Sequence, residues 1–163
     1  MPLDLAKLAR ALAVAMLLMV TAMSIAYADD DDDEYKFNVN DAKWKSECGA
    51  CHVAYPPGLL PAESWRAIMS GLDKHFGSNA GLDAASAGEI TAFLVKNARK
   101  NGRGSSGEPL LRITATRWFK SEHSEVAARH WNNPKVKSRA NCGACHTTAD
   151  SGDFSEDNVK IPG

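Results

Sequence analysis

Apolar residues recur at helical spacing in several stretches of this chain, and nowhere do Val, Ile and Thr alternate long enough to suggest a sheet. Residues 61–77 set Trp65, Ile68, Met69, Leu72, His75 and Phe76 on one stripe. With Pro61 suited to a first turn and Gly77 to an end, this predicts an amphipathic helix. A second helix is expected from about Asp83, as cap, to Asn97, with Leu82, Ile90, Phe93 and Leu94 facing inward. Upstream, Asn40 or Asp41 caps a short helix through Trp44 that delivers Cys48 and Cys51, and residues 55–58, Tyr-Pro-Pro-Gly, break it. That loop, with Leu59 and Leu60, is a candidate cover for a flat ligand. The later part predicts a helical stretch around residues 121–129 and a break at Pro134, and then Ser138 or Asn141 leads into a further motif before an irregular tail from Gly152. The fold class read from this pattern is mostly α.

The N-terminal 28 residues fall outside that fold. Lys7 and Arg10, an uncharged apolar run over residues 11–20 and Ala26-Tyr27-Ala28 have the order of a secretory signal, expected to be cleaved after about Ala28. The run is too short for a membrane anchor and is followed at once by an acidic segment, residues 29–34. Residues 98–109 are rich in Gly, Ser and basic side chains without apolar period, including Arg99, Lys100 and Arg103, and read as a solvated linker. The expected division is a signal at 1–28, a first domain at 29–98, a linker at 99–109 and a second domain at 110–163.

Composition narrows the chemistry. The 163 residues are 44% hydrophobic and 24% charged with a formal net charge of −1, which fits a small globular protein and makes nucleic acid an unfavourable partner. Only 7% of residues are aromatic, so the chain's own core is modest and a large apolar group would help to fill it. Four of the five methionines lie in the signal, leaving Met69.

All four cysteines fall in two copies of one pattern, Cys48-Gly49-Ala50-Cys51-His52 and Cys142-Gly143-Ala144-Cys145-His146. CxxCH is the haem c attachment pattern, in which two thiols add across the haem vinyl groups and the adjacent His becomes the proximal iron ligand. One turn of chain brings both sulfurs to the same porphyrin edge. A four-cysteine zinc site usually has its pairs closer in sequence. Neither structural disulfides nor a thioredoxin-type centre explains His at the same place in both copies. Two covalent haems in an exported chain are the reading that accounts for all of it, with Cys48, Cys51, Cys142 and Cys145 attaching them and His52 and His146 as proximal ligands.

A low-spin electron-transfer haem takes a sixth ligand, normally His or Met. His75, His123, His130 and Met69 are the candidates, so at least one haem is bis-histidine if both are six-coordinate. His75 lies on the apolar stripe of its segment, and Met69, on the same stripe, reads as core filler. For the second haem His123 ranks above His130, which sits beside Arg129 as a surface residue would. His75 follows His52 by the same interval by which His123 precedes His146.

The chain resembles the periplasmic dihaem cytochrome c family, small bis-histidine c-type electron carriers. The resemblance rests on the paired motifs together with LPAESW (residues 60–65), KHFG (74–77), ITAFLVKNA (90–98), RITATRWF (112–119) and ANCGACHTTADSGDF (140–154). It implies a class I cytochrome c-like helical first half and a smaller irregular to helical second half, each wrapped around one covalent haem. It also implies His75 and His123 as distal ligands, a periplasmic location, and redox partners such as a membrane-bound donor and a small monohaem cytochrome that binds diatomic ligands. The expected function is an electron relay without substrate chemistry. The rival is a dihaem enzyme or gas-binding protein in which one iron lacks a stable sixth ligand and meets peroxide, a sulfur compound or a nitrogen oxide.

Overall fold

Asp41 starts the ordered structure. Its Oδ1 accepts the backbone N–H of Trp44 at 2.7 Å, capping helix α1, Ala42–Cys48, a contact worth about 1 kcal/mol. The computed structural model describes residue 37 and residues 40–100 and 107–163. The expected signal, the acidic run and residues 101–106 of the expected linker, with Arg103, lie outside these.

Helix α2 spans Ala62–Met69 and ends at Ser70, well before Gly77. The chain then turns through Gly71 into a 3-10 turn, Leu72–Lys74, which leaves His75 in extended conformation. The expected single helix over 61–77 is therefore two pieces, because Gly71 carries a penalty of about 1 kcal/mol against Ala in a helix interior. Phe76 leaves the predicted apolar stripe altogether. It has a left-handed φ of 48° and an exposed ring, and Gly77 follows at φ 99°.

Helix α3, Ala84–Lys96, closes the first part as expected, with Asp83 accepting from Ser86 N–H at 3.0 Å. It packs against both α1 and α2. Trp44, Leu60, Trp65, Ile90 and Leu94 form the buried core, and Met69, Phe93, Tyr55 and Cys48 pack around it. Trp44 and Phe93 lie 5.3 Å apart between ring centres. The Pro-Pro-Gly loop is fixed from inside. Its 3-10 turn, Pro57–Leu59, presents the Pro57 carbonyl to the Trp65 indole N–H at 2.7 Å. Leu60 is fully buried, and Leu60→Ala is expected to cost about 2–5 kcal/mol in denaturant unfolding of the haem-loaded protein.

Arg99 ties the two parts together rather than standing in solvent. Its N–H donates to Leu60 O at 3.0 Å and its guanidinium lies 5.7 Å from the centre of the Trp118 ring. Beyond it, Thr116 caps α4, Arg117–Glu122, by accepting from Phe119 N–H, and its hydroxyl donates to Ile113 O. This helix starts earlier than the helical stretch expected around 121–129. A turn and a short α5, Ala128–Trp131, follow. Phe119, Val136 and Ala149 are buried here.

The tail is irregular but held. Asp153 Oδ1 accepts from the Ser155 N–H and hydroxyl, its Oδ2 accepts from Asn158, and Lys160 N–H donates to Cys145 O at 2.8 Å. Gly152, at φ 83°, lets Phe37 pair its N–H with the Gly152 carbonyl, where any side chain would strike the Phe37 backbone. Among the described residues there are only isolated bridges and no sheet, and no helix is long and apolar enough to cross a membrane.

Candidate functional site

Both CxxCH motifs sit where a helical turn runs out. Cys48 is the last residue of α1, and Gly49 caps it through its N–H to Lys45 O at 2.9 Å. A β-carbon at Gly49 would collide with that carbonyl, so the cap itself requires glycine. Cys51 and His52 follow outside the helix. The second motif is a 3-10 turn, Cys142–Ala144, with His146 N–H donating to Cys142 O at 2.9 Å. Burial pushes the thiols of Cys48 and Cys142 up to about 11, so in free form they remain thiols rather than metal-binding thiolates.

The five histidines separate into two facing pairs and one bystander. His52 faces His75 with ring centres 6.2 Å apart and planes inclined by 23°. His123 faces His146 at 6.1 Å, with planes inclined by 68°. His130, on α5, is not part of either pair, and Met69 is packed against the core.

Neighbouring groups orient these rings. Nδ1 of His52 lies 2.7 Å from Val53 O, and Nδ1 of His123 lies 3.0 Å from Phe119 O. A carbonyl can only accept, so in both rings Nδ1 carries the proton and Nε2 keeps a free lone pair, the usual arrangement around a metal-bound imidazole. Phe119 stacks on His123 at 4.1 Å, and Trp131, itself covered by the Arg139 guanidinium at 4.6 Å, lies 5.8 Å from His123. Tyr55 stacks on His52 at 4.5 Å and 16°. Burial, and then the facing His52 or His123, lowers the pKa of His75 and of His146 from 6.5 and favours the neutral ring that a metal needs. Nδ1 of His146 is buried beside the Phe154 backbone.

The spacing of each pair fits one metal between two rings. A first-row metal binds an imidazole nitrogen at about 2 Å, and that nitrogen is roughly 1 Å from its ring centre, so two rings on opposite sides of one ion have centres roughly 6 Å apart. Two imidazoles alone do not fill a coordination sphere. Among the described residues, no three His, Cys, Asp or Glu side chains converge on a metal position. A porphyrin, with four nitrogens around one metal, would complete such a sphere, and a CxxC stands directly ahead of His52 and of His146 to attach one. The four sulfurs do not form a common zinc site.

The profile of the Dihaem cytochrome c family matches residues 44–154. The chain belongs to the dihaem cytochrome c family. It is similar to the crystal structure of the family protein purified from Rhodobacter sphaeroides, with 50% identity over 71% of this chain and 98% of that one and a TM-score of 0.62. A diheme cytochrome c from the same organism gives 45% identity, the same coverages and a TM-score of 0.65. The diheme cytochrome of Shewanella baltica OS155 gives 42% identity over 75% of this chain and 93% of that one, with a TM-score of 0.66. No curated protein matches.

As a dihaem cytochrome c, the chain carries two covalently bound c-type haems, for which the four cysteines are the matching attachment groups. Members are generally electron carriers, and its role is redox. The largely helical, sheet-free architecture expected from sequence agrees with these structures. What the sequence did not reveal is the aromatic packing around the imidazoles. Tyr55, Phe119 and Trp131 are ordinary aromatic positions by pattern, and only folding sets them against His52 and His123.

Proposed function

We propose that this dihaem cytochrome is a periplasmic electron relay in which each iron is held between two imidazoles, His52 with His75 and His146 with His123. Cys48 and Cys51 attach the first haem and Cys142 and Cys145 the second, one in each of the segments 29–98 and 110–163 joined at 99–109. The observation that carries this reading is the pair of ring separations, 6.2 and 6.1 Å, both suited to one iron between two rings.

The haem irons supply a one-electron couple. The chain's work is to hold the rings, exclude water and set the potential. Phe119 and Val53 carbonyls fix the tautomers of His123 and His52. The packing of buried Phe119 and half-buried Trp131 on His123 limits motion of that ring, so little reorganisation accompanies a change of charge. Were His52, His75, His123 and His146 all to hold iron, neither haem would offer a coordination place to a substrate, which favours relay over catalysis.

The apolar run and Ala-Tyr-Ala at residues 26–28 support export with cleavage after about Ala28. The partners proposed are redox proteins, namely a membrane-bound donor and a small monohaem ligand-binding cytochrome c as acceptor.

Methionine ligation raises haem potential relative to bis-histidine ligation. Spectroelectrochemical titration is expected to give two midpoints, both well below those of His/Met cytochromes c. A centre in the His/Met range would remove the second imidazole from that haem.

A further inference from the structure

The two CxxCH motifs meet through one side chain. The ring of Tyr55 lies parallel to His52, with centres 4.5 Å apart, while its hydroxyl donates to Ala140 O at 2.5 Å. Ala140 stands two residues ahead of Cys142, whose thiol points at the same carbonyl at 3.7 Å. Beside this bridge, Val53 faces Gly143, where a β-carbon would lie in ordinary contact at 3.4 Å from Val53 Cγ2. The segment carrying the first iron ligand and the turn carrying the second haem's thioether residues are thus packed directly together, although they are far apart in sequence.

We propose that Tyr55 is the positioning residue that couples the two haems, its ring held on His52 and its hydroxyl anchored to the backbone that leads into Cys142. Three features favour this over simple core filling. The residue is half-buried and packs on the core from one side, but its polar end leaves that core for the Ala140 carbonyl. Its stacking partner is the proximal ligand of one haem. Its hydroxyl is bound to the carbonyl of Ala140, two residues ahead of the cysteine that attaches the other, so the connection needs one stacked contact and one hydrogen bond between the two sites.

In the exchange, one electron leaves one iron and reduces the other. The first goes from ferrous to ferric, the second from ferric to ferrous, and no proton moves. Tyr55 is neither oxidised nor deprotonated. It fixes the separation and contact across which the electron passes.

The inference rests on the bis-histidine reading, and its test reports the two separately. Haem-loaded wild type, Tyr55→Phe and Tyr55→Leu are each partly photoreduced, and re-equilibration between the haems is followed by their absorbance difference. The low-spin spectrum of each protein reports ligation. Tyr55→Phe keeps the ring and loses the hydroxyl, and is expected to slow exchange several-fold with ligation spectra and midpoints unchanged. Tyr55→Leu is expected to slow it further. Unchanged exchange in both variants overturns the proposal, as does slowing that appears only together with loss of the low-spin spectrum, because Tyr55 would then merely hold the fold. A wild type without two low-spin bis-histidine haems would instead overturn the underlying reading.

Discussion

Carbon monoxide is expected to shift the spectrum of reduced His75→Ala and reduced His123→Ala, one haem responding in each, and to leave the unaltered protein unchanged. Alanine at either position removes one ring of a facing pair and leaves the iron with His52 or His146 alone, and an open sixth position suits gas binding. His75 hangs from a short 3-10 turn and His123 caps the end of α4, so neither truncation removes a buried core side chain. His130→Ala serves as the control and should stay inert, because the ring facing His146 is that of His123. A shift in His130→Ala with none in His123→Ala would reverse the assignment at the second haem. Gas binding by the unaltered protein would favour the enzymatic or gas-binding rival.

Replacing both Cys48 and Cys51 with alanine should have the larger effect on the molecule as a whole. Mass spectrometry is expected to find one covalent haem in place of two, and thermal unfolding should begin in the first part of the chain. The physical reason is the size of the core. Around α1, α2 and α3 it rests on Trp44, Leu60, Trp65, Ile90 and Leu94, few side chains for a domain of this length, and small domains bury a low fraction of their surface. A covalently tied porphyrin adds apolar area and anchors the loop after α1, so losing the tie removes both burial and a constraint on the unfolded chain. Two haems still covalently bound in this variant would show that the attachment sites lie elsewhere.

Much of this could be read in the sequence wherever one local signal acted without competition. Asp41 and Asp83 cap α1 and α3 as their positions suggest, since a short acceptor just ahead of an apolar period has one strong local use. The paired CxxCH motifs gave the cofactor, because no other chemistry needs His at that place twice. The sequence grounds for His75 are partly mistaken. Its place on an apolar stripe assumed a continuous helix, whereas Gly71 breaks that helix and the 3-10 turn aims His75 at His52. Phe76 was misplaced with it, because spacing carries no information once the period is interrupted. Thr116 shows the reverse case. A Thr three residues ahead of Phe119 is a usable capping signal, and the helix it starts lies upstream of the stretch expected around 121–129. Tyr55, Phe119 and Arg139 could not have been assigned from sequence, since their partners are set by packing between distant segments, as in the bond from Tyr55 to Ala140.

The account depends most on four imidazoles holding two irons. Low-temperature electron paramagnetic resonance of the fully oxidised protein, read with its far-red absorption, tests this most directly. Two low-spin ferric signals of bis-histidine type are expected, with no high-spin iron and no methionine-to-iron charge-transfer band. A high-spin signal, or that methionine band, would show that at least one pair of facing histidines does not hold its metal.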